Sequence, residues 1–225
     1  MTLAQTERAE LADLFGELGP DQPTLCQGWD TSDLLAHLLI RERRMDAALG
    51  VVIKPLAGWT ARVSAEYKKL PWVEQIELLR SGPPWFSPLG WGPIDAKANG
   101  MEMFIHHEDA RRGQPDWQPR TLTPAARQEL IPLLTSSLVV GGLKKKGIPV
   151  TARLTDDPDD ANGPDRPIVL VPSADLNVMA EQPGVVIRGG VGEILLWLSG
   201  RSEVRIEFEG DPDAIASVKA GEQSL

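Results

Sequence analysis

The stretch IDAKANGMEMFIHHEDARR, residues 94–112, predicts a helix with one polar and one apolar side. Positions three and four apart share one stripe of a helix. The polar stripe reads Asn99, Glu102, His106 and Asp109, and the adjoining apolar stripe reads Ala98, Met101, Phe104 and Ile105. This pattern predicts a helix facing a bundle interior or a cleft, where an uncompensated carboxylate is costly. We therefore expect a cation beside Glu102, and we expect removal of that cation to destabilise the fold.

A second helix is predicted to begin after Asp30 or Thr31, either of which can cap it, and its apolar face carries four leucines: Leu34, Leu35, Leu38 and Leu39. His37 lies within this helix. Glu102 and His106, at i and i+4, can reach one metal ion, His37 could supply a third ligand, and Asp109 can sit behind them. Two histidines and one carboxylate leave a coordination position free, which is typical of a reactive zinc site, although the same set suits non-haem iron.

Spacing alone also allows simpler readings of these residues. A Glu–His pair at i and i+4 is common on helix surfaces, and an isolated histidine in a leucine-rich helix is more often a hydrogen-bonded core residue. His107 lies one position off the polar stripe and is expected to be a packing partner. Arg41, Arg111 or Arg112 could steer an anionic substrate, but arginines near helix ends are usually solvated or interact with the helix dipole.

The first 140 residues show helical periodicity, and the remaining residues show strand-like periodicity. Further helices are predicted over residues 3–18, over 59–80 with a break near Pro71, and from Thr123-Pro124 to about Gly141-Gly142. The loop that precedes the 94–112 helix contains Trp85 and Trp91, which could line a pocket mouth. Strands are predicted over residues 148–154, 167–171, 184–188 and 203–208, with one helix over 193–199 and another after Asp211-Pro212. The expected fold class is α+β, with a helical bundle over residues 1–141 and a small α+β domain over residues 148–225.

Composition excludes several classes of protein. The chain has 225 residues, 42% of them hydrophobic, as in ordinary globular proteins. Its 32 acidic and 23 basic residues give a net charge of −9, and no basic patch is evident, so we expect no nucleic-acid partner. No apolar run approaches the ~20 residues of a membrane span, and no signal peptide is recognisable. The single cysteine, Cys26, excludes an internal disulfide framework, and the expected location is the cytoplasm.

Two segments resemble a known family. The segment PTLCQGWDTSDLLAHLLIRERR, residues 23–44, resembles the N-terminal signature of the mycothiol-dependent maleylpyruvate isomerase family, within the wider DinB-like metal-binding superfamily. The matching residues are Leu25, Cys26, Gly28, Trp29, Asp33, Leu34, Ala36, His37 and Leu38. The segment NGMEMFIHHEDARR, residues 99–112, resembles the family's second signature and, more narrowly, an uncharacterised branch described as metal-binding. Residues 191–212 are similar to the C-terminal domains that often follow this bundle.

The resemblance implies a DinB-like four-helix bundle with His37, Glu102 and His106 as ligands of one divalent metal ion. It implies zinc as the metal, with Ni²⁺ and Fe²⁺ as alternatives, and mycothiol as a thiol cofactor. Cys26 matches a family position, but its neighbours favour a small buried hydrophobe before a Gly-Trp turn over a catalytic thiol.

Three functional hypotheses follow. The first is a metal-dependent enzyme that uses mycothiol in S-transfer or isomerisation, with a small-molecule thiol and a small substrate as partners. The second is a non-catalytic metal-binding or stress-response module in which the ion ties helices together. The third is a ligand-carrying protein in which the C-terminal domain offers an apolar cleft. An open cavity reaching the metal would favour catalysis, and the sequence leaves the oligomeric state open.

Overall fold

The computed structural model describes residues 1–48, 54–85, 87, 99–156, 167–172 and 184–220, and it has the expected α+β architecture. The chain divides into two units, Met1–Gln118 and Pro119–Leu225. The sequence places the boundary between residues 141 and 148 instead. The difference arises because the helical segments between residues 124 and 144 pack against the helix Val191–Leu198 of the second unit.

The first unit is helical in its described residues. Its elements are α1 (Leu3–Leu18), α2 (Thr31–Arg43), α3 (Met45–Ala48), a 3₁₀ turn (Lys54–Leu56), α4 (Ala57–Lys68), α5 (Trp72–Arg80) and α6 (Gly100–Arg112). The predicted helix over 59–80 is indeed interrupted at Pro71, which directly precedes α5. The first part of the predicted 94–112 helix, and Trp91, lie outside the described residues. The four-helix count of the expected bundle stays a prediction, because parts of this unit are not described.

The main apolar core of the described part of this unit draws its buried side chains from α1, α2, α5 and α6. Helix α1 packs against α5 and α6, while α2 packs against α4, α5 and α6. The buried apolar side chains include Leu11 and Phe15 of α1, Leu34, Leu35, Leu38 and Leu39 of α2, Ile76 and Leu79 of α5, and Met103 and Ala110 of α6. All four leucines expected on the apolar face of α2 are therefore in the core, and this leaves His37 on an adjoining side of the helix.

A buried ion pair crosses this core between α1 and α2. The guanidinium of Arg8 donates two hydrogen bonds to Glu42 Oε1, from Nε at 2.9 Å and from Nη2 at 2.6 Å. Both side chains are almost completely buried. Since each charge is withdrawn from water, each depends on the other for compensation.

The second unit combines short helices with a sheet. Its elements are α7 (Pro124–Leu130), a 3₁₀ helix (Ile131–Thr135), α8 (Ser137–Lys144), β1 (Val150–Leu154), β2 (Ile168–Val171), β3 (Val185–Gly189), α9 (Val191–Leu198), β4 (Ile206–Glu209) and α10 (Pro212–Lys219). The single helix expected from Thr123 to about Gly141 is wrong. Pro132 has no N–H to donate and its ring clashes with the preceding turn, so α7 gives way to the 3₁₀ segment.

The sheet has the strand order β2-β1-β3-β4. Strands β1 and β3 are parallel, and the two outer strands run antiparallel to their neighbours. One face buries Val150, Ala152, Val185 and Ile187. None of the helices in the described part of the chain has both the length and the apolar character needed to cross a bilayer.

Candidate metal centre

Helices α2 and α6 bring the predicted ligands together. Helix α2 starts at a capping box in which Asp30 accepts from the Asp33 backbone N–H and Asp33 accepts from that of Asp30. This start places His37 in the second turn, facing α6. Glu102 and His106 lie one turn apart on α6, as the spacing predicts.

The donor atoms of these three side chains lie close together. His37 Nε2 lies 3.4 Å from Glu102 Oε1, and His106 Nε2 lies 3.3 Å from the same oxygen. One donor atom from each residue lies within 4.8 Å of the other two. The two imidazole rings meet edge to face, with 5.1 Å between their centroids. Two imidazole nitrogens and a carboxylate oxygen in this arrangement could hold one divalent ion.

Asp109 lies behind His106, on the side away from Glu102. His106 Nδ1 is 2.9 Å from Asp109 Oδ2, and the Asp109 carboxylate is completely buried. Because a carboxylate accepts hydrogen bonds, it holds a proton on Nδ1 and turns Nε2 toward Glu102. Histidine ligands of protein-bound metals are commonly oriented by such a carboxylate.

The substitution Asp109→Asn is expected to weaken zinc binding about 10–100-fold, because the amide orients His106 less strongly without touching the ion itself. Competition with a chromogenic chelator measures the change. Asp13→Asn is a matched control, since Asp13 forms only an exposed ion pair with Arg80 on the surface of this unit. If Asp109→Asn lowers the zinc affinity as much as removal of the His106 imidazole does, Asp109 is itself a ligand.

The Cys26 side chain contacts the Asp109 carboxylate, and the sequence did not predict this contact. It is partly buried against the core, as expected of a small hydrophobe, but its thiol also donates to Asp109 Oδ2 at 3.3 Å. Its Sγ lies 3.9 Å from His106 Nδ1. The available signal was the position of Cys26 inside the segment that carries the family resemblance.

The loop that carries Cys26 is held against the end of α6. The Leu25 N–H donates to the Asp109 carbonyl at 3.0 Å, and the Gln114 side chain donates to the Pro23 carbonyl at 2.9 Å. Gly113 makes this approach possible, since a Cβ there would lie only 2.3 Å from the Pro23 carbonyl oxygen. Any larger residue at position 113 would therefore push the loop away from Asp109.

Arg41 is the second residue of the site whose role sequence reasoning missed. Its Nε lies 3.2 Å from Glu102 Oε1, and its Nη1 donates to Asn99 Oδ1. Glu102 is thus compensated by a guanidinium within the protein. This corrects the expectation that nothing compensates the Glu102 carboxylate when no metal ion is bound.

The charges of the cluster set the protonation of its members. Burial raises the pKa of Glu102, but hydrogen bonds from His106 and His37 and the Arg41 charge outweigh it and hold that pKa well below its ordinary value. Burial lowers the pKa of His37. Burial also opposes charge on His106, yet hydrogen bonds with Asp109, Cys26 and Glu102 raise the pKa of His106 well above its ordinary value. A divalent ion would therefore have to replace a proton of His106, which is usual when imidazole becomes a ligand.

Two members of the cluster are partly exposed. The Glu102 side chain is 25% exposed and that of His37 is 14% exposed, whereas Asp109 is not exposed at all. The Trp29 ring flanks His37, with 5.2 Å between ring centroids. Glu102 and His37 are therefore more accessible to solvent than Asp109.

The remaining charged residues of α6 have structural partners. His107 Nδ1 lies 2.7 Å from Glu7 Oε2 of α1, in agreement with its expected packing role. Arg111 and Arg112 both donate to Glu108, and Arg112 also lies over the Trp117 ring. Among the three arginines proposed to steer a substrate, Arg41 is the one that lies at the cluster. Trp85 is largely exposed.

Comparison with known proteins supports the family resemblance. Residues 4–85 match the family model described as the mycothiol maleylpyruvate isomerase N-terminal domain. This match covers the N-terminal region alone and shows that this region is similar to that family. It includes Cys26, His37 and Arg41 and ends before α6. Searches of curated proteins and of solved structures gave no significant match.

Proposed function

We propose that this protein binds one divalent metal ion, zinc, through His37, Glu102 and His106, and that it uses the ion to activate a small thiol. The convergence of these three donors, with Asp109 behind His106, is the observation that carries the proposal. Two nitrogen donors and one oxygen donor fit zinc, and the same set also suits Fe²⁺ and Ni²⁺. Three protein donors leave room for an exogenous ligand, as in catalytic zinc sites.

The proposed thiol is mycothiol, on the strength of the family match over residues 4–85. A bound zinc ion lowers the pKa of a coordinated thiol, so that the thiolate nucleophile is present at neutral pH. Such a molecule would reach the ion at the partly exposed side chains of Glu102 and His37. The proposed reactions are S-transfer to a small electrophilic substrate, or an isomerisation assisted by the thiol.

The protein's own residues have distinct roles in this proposal. Asp109 keeps the proton on His106 Nδ1 and leaves Nε2 for the ion. Arg41 orients Glu102 and adds positive charge beside it, which would favour a substrate with a carboxylate. The Trp29 ring excludes water from one side of His37.

A purely structural ion is the second candidate. His37 belongs to α2, whereas Glu102 and His106 belong to α6, so a shared ion would tie two helices together without any reaction. In that case, a stress-response or other non-catalytic role would need no thiol.

Titration of mycothiol into the zinc-loaded and the chelated protein separates the two candidates. We expect near one equivalent of zinc per chain and saturable thiol binding that requires zinc and raises thiolate absorbance in the ultraviolet. His106→Gln should abolish both signals. The neighbouring His107→Gln should retain them, because His107 faces Glu7. Zinc binding without any response to mycothiol would favour the structural ion and reject the thiol proposal.

A further inference from the structure

One loop contacts both histidines of the candidate metal centre. We call residues 23–30 the ligand-flanking loop. Its Trp29 ring lies beside the His37 ring, with 5.2 Å between centroids, and its Cys26 Sγ lies 3.9 Å from His106 Nδ1. Since His37 belongs to α2 and His106 belongs to α6, a single loop touches a proposed donor residue on each helix. The loop is therefore placed to orient both imidazoles without binding the ion itself.

Hydrogen bonds within the ligand-flanking loop fix the position of its thiol. Thr24 Oγ1 accepts from the Cys26 N–H at 3.2 Å and donates to the Trp29 carbonyl at 2.9 Å. The Trp29 N–H donates to the Cys26 carbonyl at 2.9 Å. Pro23 and Asp30 form an isolated antiparallel bridge that closes the loop. Because both the N–H and the carbonyl of Cys26 are bonded within the loop, the backbone holds the thiol in place.

The ligand-flanking loop holds Asp109 through two neighbouring residues. The Leu25 N–H donates to the Asp109 carbonyl at 3.0 Å, and the Cys26 thiol donates to Asp109 Oδ2 at 3.3 Å. The same Oδ2 lies 2.9 Å from His106 Nδ1. Because the Asp109 side chain is completely buried, solvent does not supply a substitute for the thiol. The loop thus fixes both the backbone of Asp109 and the carboxylate that orients His106.

We propose that the ligand-flanking loop positions the metal ligands, and that Cys26 is a positioning residue that acts on His106 through Asp109. This inference rests on the proposed binding of zinc by His37, Glu102 and His106. The thiol keeps the Asp109 carboxylate aligned with His106 Nδ1, and the carboxylate keeps Nε2 directed at the ion. An S–H group is a weak donor, although a charged acceptor strengthens its bond. Loss of the thiol should therefore lower the zinc affinity less than loss of the carboxylate.

Cys26→Ala and Cys26→Ser form a matched pair, because both remove the sulfur atom and only serine keeps a hydroxyl donor. We expect Cys26→Ala to weaken zinc binding about three- to tenfold, less than the roughly 10–100-fold typical of losing a direct partner of a ligand. Cys26→Ser should retain most of the wild-type affinity. Competition with a chromogenic chelator measures the three affinities. Equal zinc affinities of the two variants would overturn the role of the thiol as a donor.

Gly113→Ala tests the ligand-flanking loop without changing a side chain of the metal centre. A Cβ at position 113 would lie 2.3 Å from the Pro23 carbonyl oxygen, so alanine must displace the loop. The folded variant should bind zinc at least as weakly as Cys26→Ala. Gly16→Ala is the control, since a Cβ at position 16 of α1 would contact no other group of the described residues within 4 Å. Wild-type zinc affinity in Gly113→Ala would show that the loop does not position the ligands.

A measurement without metal separates this inference from the proposed function. In the chelated protein, imidazole NMR reports how fast the proton on His106 Nδ1 exchanges with solvent. This proton should exchange faster in Cys26→Ala than in the wild type or in Cys26→Ser, because the carboxylate that holds it is less firmly fixed. Faster exchange, with no zinc bound by any form, would reject the ligand set and support the positioning role. Unchanged exchange in Cys26→Ala would overturn the positioning role, whatever the zinc affinity.

Discussion

Zinc added to the chelated protein is expected to raise the free energy of unfolding by about 4 kcal/mol when the zinc concentration is a thousandfold above Kd. The gain follows from binding to the folded state, since His37 and Glu102 lie 65 residues apart and meet only after α2 and α6 have packed. Denaturant unfolding with and without zinc measures it. Because Arg41 compensates Glu102, the chelated protein should remain folded.

Histidine variants decide whether the stabilisation arises at this cluster. His37→Gln and His106→Gln should each remove most of the stabilisation by zinc, because each deletes a donor atom. His107→Gln is the matched control, being the same substitution one position along α6 at a residue that pairs with Glu7. If zinc stabilises His37→Gln as much as the wild type, His37 is not a ligand and the proposed ligand set is wrong.

Arg8→Met is expected to destabilise the first unit by about 3–5 kcal/mol, because it leaves the Glu42 carboxylate buried without its guanidinium partner. The Arg8 and Glu42 side chains are only 5% and 0% exposed, so water cannot replace the lost contact. Thermal or denaturant unfolding measures the change. Metal binding to the folded variant should persist, since neither residue belongs to the set of donors.

The double variant Arg8→Met with Glu42→Leu provides the complementary result. Replacing a buried ion pair by apolar side chains is often neutral, or stabilising by about 1–4 kcal/mol. The exposed pair of Arg80 and Asp13 offers a control, because Asp13→Ala should cost no more than about 1 kcal/mol. A double variant as unstable as Arg8→Met alone would mean that packing or other partners of these residues matter more than the pair.

Periodicity and helix-capping signals predicted most of the secondary structure. The Asp30 cap, the break at Pro71 and the leucines of α2 are local features, and each is found as expected. The single helix predicted from Thr123 to about Gly141 is wrong because it continues past Pro132. A proline inside a helix is itself a local signal for a break.

The candidate site was predictable only in part. The spacing of Glu102, His106 and Asp109 along α6 fixes their common stripe, and the family resemblance supplied His37. Cys26 and Arg41 act through contacts with α6 that cross more than fifty residues of chain, and no periodicity encodes such contacts. The pairing of His107 with Glu7 of α1 is a further contact that the sequence pattern does not specify.

If the proposed donors bind a metal ion, their separation along the chain also determines when the ion can be acquired during protein synthesis. A nascent chain that has exposed α1 to α5 to solvent presents His37 but neither Glu102 nor His106, which follow on α6. One imidazole alone binds a metal ion weakly, so metal binding at this cluster would require that α6 has left the ribosome. The helix that completes the proposed site also ends the first unit, so loading with metal would be among the last steps in its maturation.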